Sequence, residues 1–286
     1  MTDALVWVDG TFEAPDGRLV RTDDRGFTLG DGLFETLRVQ GGRAFRLEEH
    51  IDRLRRGAQH LHIPVPPTLE PGVEAVLERR RSSEGALRIT LTRGVGPPGL
   101  DPRPCSEPTL VISLRSIARS RRSLDGLRVI IGGGRVAEGG LTSGMKTLGY
   151  GERIAALHEA VEAGADDALL LNGSGHVVGS SAGNVLVISD GMIRTPTDRC
   201  GPLPGITREV VLTVAQRSGI PFERAPLAPA DLADADEIVL TSSLRGVAPV
   251  VSLDGRAVGS GAPGPLWYRL RAAYEEVVRQ ETRCAG

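Results

Sequence analysis

The sequence of 286 residues lacks the features of several broad classes of protein. Its three cysteines, Cys105, Cys200 and Cys284, lie far apart and not in the spacing of a metal site. This usage indicates a reducing cytoplasm and no zinc site. No apolar run approaches about 18 residues, and no basic region followed by an apolar stretch stands near the start. We therefore expect neither a membrane span nor a signal peptide.

The sequence also carries little net charge. The formal net charge is −2, and the arginine clusters at residues 79–81 and 115–122 are short. We interpret these clusters as solvated faces rather than as a surface for nucleic acid. The hydrophobic fraction of 40% predicts a packed core. The length fits one large domain or two medium domains.

Arginine carries nearly all of the positive charge, and lysine is scarce. Lys146 is therefore conspicuous, between the small residues 142–144 and a helix-like apolar run. Only lysine, of these two residue types, can lose its proton near neutral pH and attack a carbonyl. By itself, however, a lysine at such a junction is more often a solvated surface residue.

Periodicity and turn residues predict both strands and helices. In the first half, the pattern predicts strands near residues 4–8, 33–39, 45–47, 86–93 and 109–114, helices over 48–60 and 72–81, and a glycine-rich loop over 26–32. Later helices are predicted over 152–163, 208–217 and 265–279. In the helix over 152–163, the predicted apolar stripe is Ile154, Ala155, Leu157 and Val161. The class is therefore α+β, a mixed α/β fold.

A stretch rich in serine and arginine divides the chain. We predict an N-terminal α/β domain over residues 1–115, a linker over 116–124 and a C-terminal domain over 125–286 that contains Lys146. The active site is expected between the two domains, with the linker as a flexible gate.

Three features could bind an anion. Residues 205–207 precede a helix, so unpaired backbone N–H groups and a threonine hydroxyl are expected there. Residues 241–243 supply small donors after a buried strand, and Arg53 on a helix could offer a charged fork to a phosphate. Each signal is weak alone, because a threonine at that position is usually a cap and a helical arginine usually lies in water.

The joint order of six segments is far more specific than any one of them. Together they resemble the class-IV pyridoxal-phosphate aminotransferases (fold type IV), over about residues 6–250. That family holds branched-chain aminotransferases, D-amino-acid aminotransferases and 4-amino-4-deoxychorismate lyases. The matching segments are Gly30-Asp31-Gly32-Leu33-Phe34-Glu35-Thr36, His50-Ile51-Asp52-Arg53-Leu54, Met145-Lys146-Thr147-Leu148-Gly149-Tyr150, residues 162–168, Leu203-Pro204-Gly205-Ile206-Thr207-Arg208, and residues 241–250.

The resemblance implies a cofactor, pyridoxal 5′-phosphate, and a larger, barrel-like C-terminal domain that binds it. Lys146 would be the catalytic residue, which forms a Schiff base with the cofactor and then carries the substrate proton. Tyr150 lies where some members place a tyrosine on the cofactor's phenolic oxygen, although a core tyrosine is as frequent. The phosphate would be bound by Arg53, Ile206, Thr207 and Ser243.

The resemblance also implies substrate contacts. The backbone at Leu244 lies where relatives meet the substrate carboxylate. Arg88, Arg93 and Arg245 could meet a dicarboxylate substrate, although surface or interdomain ion pairs are at least as frequent for such arginines. No metal site is predicted. The expected partners are a small-molecule amino substrate and a second copy of the chain in a homodimer, and the expected location is the cytoplasm.

One departure from the family pattern bears on the reaction. Members usually carry a glutamate that bonds the cofactor's ring nitrogen, and that position holds Gly179 here, counted back from Asn184. Without the acid, the ring withdraws electrons less strongly. Loss of pyruvate from aminodeoxychorismate is driven partly by formation of an aromatic ring and could tolerate this weaker withdrawal. The function predicted is therefore 4-amino-4-deoxychorismate lyase, which gives 4-aminobenzoate and pyruvate. A D-amino-acid or branched-chain aminotransferase is the alternative, and a relative without catalysis is a third possibility.

Overall fold

The structure, a computed structural model, describes residues 4–17, 19–80, 84–105, 107–117 and 122–283. The chain forms two compact units. The first unit comprises the chain up to Ala118, the segment Met145–Gly149 and the residues from Val278 onward. The second comprises the rest. The predicted domain limits stay a prediction, and they differ from these units in assigning Lys146 to the later domain. Residues 118–121 of the predicted linker lie outside the described residues.

The first unit contains a six-stranded antiparallel sheet in the order β2-β1-β6-β5-β3-β4. Its strands are β1 (Ala4–Val8), β2 (Thr11–Glu13), β3 (Gly32–Gln40), β4 (Arg43–Ala44), β5 (Gly85–Thr92) and β6 (Thr109–Ser116). Its helices are α1 (Arg25–Leu29), α2 (Leu47–His60) and α3 (Leu69–Arg79). The predicted loop over 26–32 thus includes a short helix, capped by the Asp24 side chain.

Helices α2 and α3 cover one face of this sheet. Leu87, Ile89 and Leu91 alternate along β5 and are fully buried beneath them, as the period of two predicts. Ile51, Leu54 and Ala58 of α2 are buried in the same core, which confirms the predicted helical stripe. The core therefore occupies one face of β3, and side chains at alternate positions lie on the other face.

The second unit contains a nine-stranded sheet. Its path is β12-β11-β10-β13-β14-β7-β8-β9, with β15 paired to β14. Its strands are β7 (Leu127–Val136), β8 (Asp167–Asn172), β9 (Val177–Ser180), β10 (Asn184–Ser189), β11 (Met192–Pro196), β12 (Phe222–Ala225), β13 (Glu237–Ser242), β14 (Gly246–Leu253) and β15 (Arg256–Ala257). Its helices are α4 (Arg122–Asp125), α5 (Gly151–Glu162), α6 (Ile206–Arg217), α7 (Pro229–Ala233) and α8 (Pro265–Thr282), whose last residues belong to the first unit.

This sheet curls into a barrel-like form. β9 ends the path, yet it returns against β10 and β11, which lie near the opposite end. Its interior is apolar and includes Val129, Leu169, Val185 and Leu240. The curl brings the turn after β9 and the turn after β13 to the same residue, Asp167.

The predicted apolar stripe of α5 is wrong. Ala156 and Ala160 face the sheet, whereas Ile154 and Val161 are 58% and 61% exposed. Small alanines let the helix approach β7 and β8 closely, so burial selects the small side chains rather than the large ones. Among the described residues, no helix is long and apolar enough to span a membrane. The cytoplasmic location stays a prediction.

Candidate functional site

Lys146 lies beside β3, in the first unit. The Phe34 backbone N–H donates a hydrogen bond to the Lys146 carbonyl oxygen at 2.9 Å, and Leu148 N–H donates to Gly32 O at 3.0 Å. An isolated antiparallel bridge joins Leu33 and Thr147. The lysine segment therefore extends the edge of β3, and a strand-like backbone fixes the position of the half-buried amine.

The Lys146 amine lies over an aromatic ring. Its Nζ atom is 4.2 Å from the centroid of the Phe34 ring. The guanidinium carbon of Arg88 lies 3.9 Å from the same centroid. Because Thr36 pairs with Arg88 across β3 and β5, Phe34 and Arg88 share the sheet face that α2 and α3 leave uncovered. The structure thus brings two of the predicted residues, Lys146 and Arg88, to one ring.

Arg53 forms a buried ion pair on the other face of β3. Its Nε and Nη2 atoms donate to the two carboxylate oxygens of Glu35, each at 2.7 Å. His50 Nδ1 lies 2.7 Å from Glu35 Oε2. Arg53 and His50 are one helical turn apart on α2, so both reach the same strand residue. The sequence segments contain Glu35 and His50, but the prediction gave neither of them a role.

Burial and hydrogen bonding oppose each other in this triad. Burial alone would raise the pKa of Glu35, but the bonds from Arg53 and His50 outweigh it and lower the pKa from 4.5 to about 2. Burial lowers the pKa of His50 below 6.5, and the bond to Glu35 does not fully offset that effect. At neutral pH, Glu35 is therefore a carboxylate and His50 is neutral. The fork of Arg53 is held in one orientation.

The remaining predicted residues belong to the second unit. Ile206 and Thr207 open α6, whose N-cap residue, Gly205, provides no side-chain cap. The first N–H groups of this helix therefore carry its positive dipole end without a side-chain acceptor on the cap. Thr207 is 4% exposed, so its hydroxyl lies in the interior. This arrangement suits an anion.

Asn184 fixes the segment before α6. Its Nδ2 atom donates to Leu203 O at 2.8 Å. A Cβ on Gly205 would lie 1.7 Å from Asn184 Oδ1, so only glycine permits this packing. The sequence prediction used Asn184 only to align the motif. The structure shows that it holds the turn leading into the helix.

Ser243 and Leu244 lie in the turn between β13 and β14. Arg245 N–H donates to Ser242 Oγ at 3.3 Å within that turn. Leu244 is 39% exposed, and Ser243 is half-buried. Arg245 Nη1 donates to Asp167 Oδ2 at 2.6 Å, so this predicted substrate residue is already paired within its own unit.

Tyr150 immediately precedes α5. The guanidinium carbon of Arg153 lies 5.5 Å from the centroid of its ring. Arg153 Nη1 also donates to Ser180 O at 2.8 Å, at the end of β9. Tyr150 is half-buried near the end of β9, the strand that contains Gly179, and the prediction gave Arg153 no role.

Gly179 is in close contact with the backbone. A Cβ at this position would lie 2.6 Å from Gly183 O, nearer than real Cβ contacts allow. Next to it, Ser180 Oγ is buried without a hydrogen-bond partner among the described residues, and Thr241 Oγ1 on β13 is likewise unpaired. Thr241 pairs with Asn184 across β10 and β13. Two orphaned hydroxyls thus lie in this corner of the second unit.

The comparisons with known proteins identify the family. The model of amino-transferase class IV matches residues 32–253. This chain belongs to that family. It is 34% identical to a putative branched-chain-amino-acid aminotransferase of Methanocaldococcus jannaschii, over 95% of this chain and 96% of that protein. It is 32% identical to a D-alanine aminotransferase of Listeria innocua, over 91% of each.

Solved structures agree with this assignment. A 4-amino-4-deoxychorismate lyase from Pseudomonas aeruginosa is 31% identical, with a TM-score of 0.83 and coverage of 97% of this chain and 99% of that chain. A hypothetical aminotransferase from Mycobacterium tuberculosis in its PLP-bound form is 30% identical, with a TM-score of 0.85 and the same coverage. The predicted family, mixed fold, enzyme class and cofactor of the family are confirmed.

Among the described residues, no group of three or more His, Cys, Asp or Glu side chains could hold a metal ion. The individual roles of Lys146, Arg53 and the other predicted residues stay predictions.

Proposed function

We propose that the chain is a pyridoxal-phosphate-dependent lyase that converts 4-amino-4-deoxychorismate into 4-aminobenzoate and pyruvate. The observation that supports the lyase is the packing at Gly179. No carboxylate can stand there while Gly183 O keeps its place, because even a Cβ would lie 2.6 Å from that oxygen. A weaker electron sink suffices for a reaction that gains an aromatic ring.

The donor set fits the cofactor. Pyridoxal phosphate, when bound, supplies an aldehyde that condenses with amines and a pyridine ring that withdraws electrons. Lys146 offers the amine, and the N-terminus of α6 offers backbone N–H groups for the phosphate. The orphaned hydroxyls of Ser180 and Thr241 are buried polar groups that a bound ligand would satisfy.

Each residue has a distinct task in the proposal. Lys146 Nζ would take the proton from the carbon that bears the substrate amine and return it later in the reaction. The face of Phe34 would keep the Lys146 amine oriented while that amine carries its proton, because a cation is attracted to the ring. Arg88, over the same ring, would hold a substrate carboxylate near Lys146.

The phosphate contacts would come from charges and backbone dipoles. Arg53 would contact the phosphate through its guanidinium, and Glu35 would keep the fork in place. Ile206 and Thr207 would contribute the helix N-terminus, and Ser243 its hydroxyl. Tyr150 would lie at the cofactor's phenolic oxygen, and Leu244 N–H would meet a substrate carboxylate.

An aminotransferase is the second candidate. The relatives at 34% and 32% identity are named as branched-chain and D-alanine aminotransferases. Both activities would use Lys146 and Arg88 in the same way. They differ in that the lyase needs no second substrate, whereas the aminotransferase needs a keto acid.

We also propose a second copy of the chain as partner. Ile154, Leu157 and Val161 form an exposed apolar stripe on α5. Such a stripe is costly in water, and burial against another chain would remove that cost. Light scattering of the wild type and of Ile154→Glu would test this proposal, since a dimer that uses the stripe would dissociate in the variant.

The decisive assay for the reaction follows pyruvate by coupled oxidation of NADH. The purified, cofactor-loaded protein would be incubated with 4-amino-4-deoxychorismate and no keto acid. The lyase proposal predicts stoichiometric pyruvate, and none from the Lys146→Arg variant. No pyruvate, with amino transfer from a branched-chain amino acid or D-alanine to a keto acid, would establish the aminotransferase instead.

A further inference from the structure

Asp167 is a fully buried carboxylate at the start of β8. Its Oδ2 atom accepts from Arg245 Nη1 at 2.6 Å. Its Oδ1 atom accepts from Ser181 Oγ at 2.5 Å, from Ser181 N at 3.2 Å and from Ala168 N at 2.8 Å. These partners compensate the buried charge. Without Arg245, which supplies the opposite charge, the buried carboxylate would be left without a counter-ion.

Two of these partners, Ser181 and Arg245, lie on different turns. Ser181 lies in the turn between β9 and β10, and Arg245 lies in the turn between β13 and β14. Along the sheet, β8 and β13 are separated by β7 and β14, so the ion pair does not join neighbouring strands. It spans the curled sheet and ties both turns to one fixed strand residue.

The tied turns adjoin one of the unpaired hydroxyls and contain two of the predicted binding residues. Ser180 Oγ is unpaired next to Ser181, and Ser243 and Leu244 immediately precede Arg245. Arg153 Nη1 donates to Ser180 O at 2.8 Å, which holds the first turn from the side of α5. Hydrogen bonds thus fix the backbone of both turns before any ligand binds.

We propose that Asp167 is a positioning residue that fixes the β9–β10 and β13–β14 turns through Ser181 and Arg245. Arg245 accordingly serves this clamp and does not bind substrate. The role in catalysis rests on the proposed function, because it assumes that Ser243 and Leu244 meet cofactor and substrate. The clamp itself does not rest on it, because it concerns the order of the two turns in the protein alone.

The first experiment needs no ligand. Hydrogen exchange would be measured by mass spectrometry on the wild type, Asp167→Asn, Arg245→Gln and the double variant. Arg128→Gln is the matched control, since it breaks an adjacent ion pair with Asp166 whose arginine is 59% exposed. We expect exchange at residues 180–183 and 242–246 to rise about tenfold in both single variants, with α6 and the control unchanged.

The double variant separates the clamp from a general loss of stability. Asparagine and glutamine leave no buried charge without a partner, so this protein should fold even if Asp167→Asn does not. The two turns should exchange as fast in the double variant as in the single variants. Unchanged exchange in the turns, or an equal rise throughout the second unit, would overturn the clamp.

The second experiment concerns the loaded enzyme. If Asp167 positions the turns, Asp167→Asn and Arg245→Gln should each raise KM about tenfold, and the double variant no further. Arg245→Lys should restore part of the loss. If Arg245 bound substrate instead, Arg245→Gln would raise KM while Asp167→Asn left it unchanged, which would overturn the proposal. An absence of cofactor binding in the wild type would refute the proposed function and leave the exchange result intact.

Discussion

Two ion pairs whose carboxylate is fully buried, Glu35–Arg53 in the first unit and Asp167–Arg245 in the second, hold different kinds of structure in place. Glu35 lies on a strand and Arg53 on a helix, so both partners belong to regular elements of one packed core. Asp167 also lies on a strand, but Arg245 and Ser181 lie on turns. The first pair orients a side chain, whereas the second orients backbone.

This difference separates the contributions of the two units. The first unit offers side chains, the Lys146 amine and the guanidinium groups of Arg53 and Arg88. The second offers mainly backbone N–H groups and small hydroxyls, at α6 and in the turn after β13. A contact made by a side chain is lost when that one residue is replaced. A contact made by a backbone N–H group is lost when the packing that fixes its turn changes.

The largest effect should come from the first unit. Lys146→Arg keeps the charge but removes the amine that can lose its proton, so activity should fall about 1,000-fold or more. Because Lys146 is the only lysine in the sequence, Lys146→Arg with Arg56→Lys restores a lysine at an exposed site of α2. Steady-state rates of that double variant should stay as low as those of Lys146→Arg alone. Recovered activity would show that a lysine is not required at position 146.

The next effect tests the pair that orients Arg53. Glu35→Gln removes the buried carboxylate that accepts two hydrogen bonds from the Arg53 guanidinium, so the protein should lose about 3 kcal/mol of unfolding free energy. The control, Glu70→Gln, breaks the exposed Arg55–Glu70 pair between α2 and α3 and should cost less than about 1 kcal/mol. Urea unfolding followed by circular dichroism would measure both. Equal losses would contradict the account.

The same pair makes stability depend on pH. The pKa of Glu35 falls from 4.5 to about 2 on folding, so its contribution is complete above 4.5 and is lost as the pH falls toward 2. Between those values, the stability of the wild type should decline more steeply than that of Glu35→Gln. Parallel curves would show that the carboxylate gains no stability from its partners.

A smaller effect is expected in the second unit. Gly205→Ala places a Cβ 1.7 Å from Asn184 Oδ1, so either the turn before α6 moves or Asn184 gives up the bond that holds Leu203 in that turn. We expect the affinity for pyridoxal phosphate to fall about tenfold, or about 1.4 kcal/mol. Gly151→Ala at the start of α5, where nothing would meet the added Cβ, is the control. An absorbance titration in which both variants bind equally would argue against phosphate at this helix.

The smallest effect concerns the ring shared by Lys146 and Arg88. Phe34→Leu keeps an apolar side chain but removes the face that attracts both cations. The expected result is a rise of about threefold in KM, beside a loss of about 1 kcal/mol of unfolding free energy because Phe34 is buried. A KM that does not change would show that the ring has no part in placing either residue.

The family, the mixed fold and the burial of Leu87, Ile89 and Leu91 along β5 could be predicted from the sequence, because motif order and strand alternation are local properties. The apolar stripe of α5 could not, since Ala156 and Ala160 are buried only because β7 and β8 approach the helix closely. The clamp at Asp167 was beyond prediction for a similar reason. Arg245 is 78 residues away along the chain, and only the curl of the sheet brings the two together.

The most direct test of the central claim is the chemistry of the one lysine. The protein would be loaded with pyridoxal phosphate, reduced with sodium borohydride, digested and analysed by mass spectrometry. We predict a single phosphopyridoxyl adduct on the peptide that contains Lys146, with no adduct in the Lys146→Arg variant. An adduct confined to the N-terminal amine, or none in the loaded wild type, would contradict the account.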